Sequence, residues 1–272
     1  MEILLAAFGG GVFGALIGAL PAFIFTGVLG LVGIAVLLTT GNGVIVSEVA
    51  FGSLFGPHIA FAGGVAAAAY AAKVEKLKTG MDVLTPLAAL NDPVVILIGG
   101  VFGVLGHIIN NFYASIGLQT DTIAMTVVTS GIIARILFGS SGLINKKMKE
   151  KSMFGDRKAF ITSILGALGI GMVISYLVDV TQVNILGFCV SAALLIFAQM
   201  GFGIPTTHHI SLVAGYATIA TGSIYVGIVF AILAQIVFNA AAYVFNTEVD
   251  THIDPPAASI FICSFIIFIF LG

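Results

Sequence analysis

A chain of 272 residues with 59% hydrophobic and only 8% charged residues cannot solvate a globular surface, because soluble domains carry about 25% charged residues. Its mean hydropathy of +1.18 makes lipid the expected solvent and leaves little length for a soluble domain. The net charge of −2 selects no class of partner, and nothing in the composition suggests nucleic acid.

The first run, "MEILLAAFGGGVFGALIGALPAF", has no Lys or Arg ahead of its apolar stretch. It lacks the basic region of a secretory leader and reads as a retained first span. Hydrophobic runs between breakers then predict spans near 3–22, 25–40, 57–73, 93–113 and 122–139. A polar linker, "SSGLINKKMKEKSMFGDRK", follows, and five more spans come near 160–178, 184–201, 208–222, 224–245 and 256–272. The fold class expected is an all-α polytopic membrane protein of about ten transmembrane helices. Stretches rich in Gly, Pro and Thr precede the third span of each half, and they predict interrupted or re-entrant segments at 41–56 and 203–208.

The ten basic residues set the orientation. Lys73, Lys76 and Lys78 form one group, Lys146, Lys147, Lys149, Lys151, Arg157 and Lys158 a second, and Arg135 stands alone in a span, where snorkelling is expected. By the positive-inside rule loops 73–80 and 141–158 are cytoplasmic, and the three spans before the first place the N-terminus outside. Five spans per half is an odd number, so the second half runs in the opposite sense and the C-terminus is also outside. The expected organisation is a first five-helix repeat over 1–140, a basic linker over 141–158 and an inverted repeat over 159–272. The location this implies is the plasma membrane, crossed many times.

Internal similarity agrees. "GGVFGVLGHIINN" (99–111) aligns without gaps on "GIVFAILAQIVFN" (227–239), with six of thirteen positions identical. "HIAFAGGVA" (58–66) aligns on "HISLVAGYA" (209–217), and Asp121-Thr122 falls against Asp250-Thr251.

Ionisable and amide groups inside a bilayer mark interior contacts, water or a substrate path. His58 and His209, matched across the halves, are expected to meet near the midplane at interrupted helices, with His208, Thr206 and Thr207 beside them. Asn111 and Asn239 form a second matched pair. His107 and Gln235 lie one turn before them on the same face, so that face is polar in both halves. Glu48, Asp121, Asp250 and Asp254 are secondary candidates; Asp121 and Asp250 are expected to cap the fifth spans. Asp92 and Asp179 read as loop caps.

His208, His209, His252 and Asp254 have the chemistry of a zinc or nickel site, but no span carries an i, i+4 ligand spacing, so no metal is assigned. Cys189 and Cys263 lie in apolar segments without a metal or disulfide pattern. No P-loop, HExxH motif or framed serine nucleophile occurs, so neither a cofactor nor an enzyme is expected. The function expected is a transporter or channel, a permease for a small solute or ion, passive or ion-coupled, with its pathway between the repeats. A non-catalytic subunit of a larger transport or pump complex is the alternative. The partners expected are the bilayer, the small-molecule or ion substrate and, in a homo-oligomer, further copies of the chain. The five-plus-five plan is shared by several carrier and channel folds and specifies no substrate.

Overall fold

The computed structural model describes residues 1–144 and 152–272. Lys146, Lys147, Lys149 and Lys151 of the basic linker lie outside the described residues. Every regular element among those described is helical, apart from one isolated bridge between Gly80 and Thr251. The helices are α1 (Glu2–Ile17), α2 (Ala19–Thr40), α3 (Ala62–Lys73), α4 (Pro93–Ser115), α5 (Thr122–Phe138), α6 (Arg157–Thr181), α7 (Leu186–Leu194), α8 (Ile196–Gln199), α9 (His208–Thr221), α10 (Ile224–Asn246) and α11 (Pro255–Phe270). Four of them, α2, α4, α6 and α10, are long and apolar enough to cross a membrane; α1, α5, α7–α8 and α11 are shorter apolar helices.

Local chemistry sets the boundaries. The first break falls at Gly18, whose φ of 95° suits glycine, and not between residues 22 and 25 as the runs suggest. Pro21 sits in the first turn of α2, where its missing N–H breaks no bond. Asp92, Asp121, Asp156 and Asp254 cap α4, α5, α6 and α11 through their carboxylates, and Ser223 caps α10 through its hydroxyl.

The stretch at 41–56 does turn back. After Gly41 the chain descends along α2, with Val46 against Gly33, Phe51 near Gly30 and the Phe55 carbonyl accepting from Thr26 Oγ1 at 2.6 Å. It includes a π-helical turn at Ile45–Ala50, and a second at Pro57–Phe61 leads into α3. In the second half α8 stops near Gly201 (φ 90°), and a non-helical stretch leads to α9.

The packing has the same pattern twice. α1 packs on α4 and α3, and α6 packs on α10 and α9; α5 lies beside α3 and α4, and α11 beside α9 and α10. Small residues permit the closest approaches. A Cβ at Gly11 would strike the Gly99 carbonyl, and one at Gly106 the carbonyl of His58. The halves join where α2 meets α7 and where α5 meets α11. Large apolar side chains face outward on the flanking helices, including Phe112 (58% exposed), Val173 (65%) and Val229 (61%). Such surfaces have no place in water as a contiguous belt.

Arg135 departs from expectation. It does not snorkel: it is 2% exposed. Its guanidinium donates to the carbonyls of Leu143, Phe245 and Thr251, to Thr251 Oγ1 at 2.9 Å and to Asn246 Oδ1. The planar five-donor fork suits a cluster of carbonyls better than a retreat to the surface.

Candidate functional site

Two polar strings occupy matching places. In the first half Asn111 Nδ2 donates to His107 Nε2 at 2.8 Å. A neutral imidazole that accepts at Nε2 carries its proton on Nδ1, which then donates to Ser53 Oγ at 2.9 Å. In the second half Gln235 stands where His107 does, donating to Asn239 Oδ1 at 2.9 Å and accepting from His209 Nε2 at 3.3 Å. The His209 ring lies flat on Phe238, centroids 4.4 Å apart. These strings tie helices within each half; they do not bring the halves together.

Residues of both halves line a cavity of about 380 Å³. Its aromatic wall includes Phe23 of α2, Phe61, Phe188 of α7 and Tyr216 of α9, and its polar groups include Asp121, His208 and Asp254. Asp121 caps α5 through Oδ1, which accepts from Ala124 N, while Oδ2 accepts from Tyr216 O–H at 2.7 Å. Asp254 caps α11 through Oδ2, which accepts from Ala257 N, while Oδ1 accepts from His252 Nε2 at 3.2 Å. Each carboxylate thus opens the last helix of its half. His208 is 5% exposed, and its Nδ1 has no hydrogen-bond partner among the described residues; the same holds for Nδ1 of His58 and of His209.

A second cavity of about 250 Å³ shares Phe23, Phe61, His208 and Asp254 with the first and adds Thr206, Asn246 and His252. The four shared side chains line both spaces, so they stand between them. They pack closely: Phe23 lies 5.5 Å from Phe61 and 4.7 Å from His208, ring centre to ring centre.

The equivalence of Asp121 with Asp250, read from the sequence, shifts by four residues. Asp250 caps nothing. It accepts from Ser140 N and Oγ, both at 2.6 Å, and from Ser141 Oγ at 2.8 Å, tying the loop after α5 to the loop before α11. Partial burial pushes its carboxyl up, but the hydrogen bonds from Ser140 and Ser141 outweigh this and hold it below the usual carboxylate range. Its neighbour Asp254 fills the capping role instead.

The other sequence candidates divide by place. His208, Asp121 and Asp254 line the larger cavity. Thr206 lines the smaller one and also, with Gln235 and Asn239, a separate open groove of about 490 Å³. Thr207 faces another groove, beside α6 and α7. His58, His209, His107 and Asn111 line neither central cavity; His58 is represented there by its neighbour Pro57. Glu48 is exposed on the π-helical turn. No three His, Cys, Asp or Glu side chains converge as a metal-ligand set among the described residues.

Tyr216, Phe23, Phe61, Phe188 and Ser53 were not singled out by the sequence reading. Tyr216 offered a signal, as the tyrosine that lies well inside a predicted span. The phenylalanines offered none, since the chain has 22 of them.

One family model matches the chain twice, over residues 1–160 and again over 157–271. The chain belongs to a family of unknown function, DUF7973. No curated protein and no solved structure matches it. The two DUF7973 matches change over at residues 157–160, where α6 begins, so one covers α1–α5 and the other α6–α11.

Proposed function

We propose that the chain is an integral membrane transporter or channel for a small solute or ion, passive or ion-coupled, whose pathway runs between two inverted five-helix repeats. The observation that carries this reading is the cavity pair: two spaces between the halves, parted by Phe23, Phe61, His208 and Asp254. Ionisable side chains at such a depth are costly in lipid and belong to a path. The paired packing of α1–α5 and α6–α11 supports the repeat, as does the double family match.

On this reading ten segments cross the bilayer, the shorter ones as broken or tilted spans. Residues 41–73 form one interrupted crossing, and the stretch after α8 with α9 forms its inverted counterpart. The loop 74–92 and the loops around Arg135 and Asp250 face the cytoplasm, while Glu2, Asp121 and Gly272 lie toward the outside.

The test uses impermeant thiol reagents on cells, with Cys189 and Cys263 replaced by Ala. Cysteine at Thr120, on the larger cavity, is expected to react from outside; cysteine at Asn246, on the smaller, is expected to react from inside. Reaction of both from one side, or of neither, would overturn a pathway through this wall.

A further inference from the structure

We infer that the larger cavity binds a small organic cation, an ammonium carrying a hydrocarbon or aromatic body; this names the substrate class for the proposed pathway and rests on that reading. The charged side chains lining the two central cavities are Asp121 and Asp254, and neither lining includes a Lys or Arg. The buried Arg135 nearby is engaged with carbonyls and Thr251 and lines neither space. An anion would therefore face carboxylates, and the lining groups that could carry a compensating positive charge are the imidazoles of His208 and His252.

A bare metal ion fits poorly as well. Hard cations need six or more oxygen ligands, and this wall is mostly ring and aliphatic carbon. Aromatic faces attract a cation when they and it are desolvated together, and the apolar lining also gains from burying a hydrocarbon body. The volume of about 380 Å³ falls at the small end of ligand pockets and suits a body of a few carbons up to one ring.

Hydrogen-bonding capacity is in place for an ammonium. Each oxygen of Asp121 and Asp254 already accepts one bond, and each retains a further lone pair. The independent sign is His208, which lines both cavities while its buried Nδ1 has no partner among the described residues. With its proton on Nε2 the neutral ring keeps Nδ1 as a spare acceptor, which an ammonium N–H would meet once the ring turns toward the cavity. An ammonium at the wall would thus lie within reach of Asp254 and His208, with the rings of Phe23, Phe61 and Phe188 around it.

The test is thermal unfolding of the purified full chain in detergent, reported by a thiol-reactive dye, because Cys189 and Cys263 are buried until the fold opens. The probes are primary ammonium ions from methylammonium to 2-phenylethylammonium, each with its isosteric alcohol and carboxylate. A ligand that binds only the folded state raises the midpoint. We expect a saturable rise with at least one ammonium and none with its alcohol or carboxylate. Asp254→Asn is expected to weaken that binding about tenfold or more. Asn caps helices as well as Asp does, so this variant should keep its own midpoint. Phe61→Leu, which keeps an apolar side chain of similar size, is expected to weaken the ammonium and leave the fold intact.

No shift with any ammonium would overturn the inference, as would an equal shift with the alcohol, or binding unchanged in both variants. Binding in detergent does not depend on transport. Ammonium binding with both cysteine positions labelled from one side would sink the pathway and spare the site. Labelling from opposite sides without ammonium binding would do the reverse.

Discussion

Arg135 shows how one side chain can fasten three parts of the chain. Its five hydrogen bonds reach the loop after α5, the end of α10 and the segment before α11. Arg135→Met would leave the carbonyls of Leu143, Phe245 and Thr251 without that donor, at about 1–3 kcal/mol for each that finds no other. A large fall in the dye-reported midpoint is expected, with Arg135→Lys intermediate because one ammonium offers three donors in place of a five-donor fork. An unchanged midpoint in Arg135→Met would show that water replaces the fork. Glycine gives a second residue-level test with opposite signs. In Gly106→Ala the new methyl strikes the His58 carbonyl, so a loss of about 1–3 kcal/mol is expected. In Gly166→Ala nothing lies within 4 Å, so a gain of about 0.5–1 kcal/mol from helix propensity is expected. If both variants melt alike, the contact of α4 with the π-helical turn at Pro57–Phe61 is looser than the packing implies.

At the scale of elements, short loops lock the helix ends together through carboxylates. Asp92 caps α4 and accepts from Lys76 Nζ at 2.6 Å, a hydrogen bond that holds its carboxyl below the ordinary range. Asp250 is held low by its two serines against the opposing effect of burial. A carboxyl whose folded pKa is depressed contributes stability that is complete above the unfolded value of about 3.9 and is lost as pH falls through the folded value. The midpoint of the wild-type chain should therefore fall on acidification below about pH 4, and the fall should be shallower in Asp92→Asn/Asp250→Asn. Equal slopes would mean that these loops do not limit unfolding. The same elements show what is legible in a sequence. Helical class, the interruption at 41–56 and the caps at Asp92 and Asp121 follow from runs, breakers and residue chemistry. The fifth-helix equivalence did not: an Asp-Thr pair drew the alignment to Asp250, while Pro255 and Pro256 set the true start of α11 and make Asp254 its cap. His208 was placed beside its neighbour His209, yet a helix turns successive side chains about 100° apart. One of the pair therefore lines the cavity while the other stacks on Phe238. Apolar alignments fix order along the chain, not which face of a helix turns inward.

The whole molecule poses the question of motion. In the conformation described, Phe23, Phe61, His208 and Asp254 stand between the two cavities, and Phe188 adds an edge 5.6 Å from the His208 ring. A solute of several heavy atoms has no evident way through so close a set of rings, so on the proposed pathway passage would require the halves to shift against each other, as rocking repeats do. The contact between α5 and α11 offers a place to prevent this. Thr120 Oγ1 and Ser264 Oγ lie 3.0 Å apart across that interface, and side chains whose γ atoms are this close suit the reach of a disulfide. In a chain with Cys189 and Cys263 replaced by Ala, Thr120→Cys/Ser264→Cys is expected to oxidise readily. Oxidation should halt ammonium exchange across liposomes, and a reductant should restore it, with the unfolding midpoint no lower in the oxidised form. Exchange that continues at full rate with the halves cross-linked would exclude rocking. The wall would then open by side-chain rotation alone, and the protein would conduct as a channel.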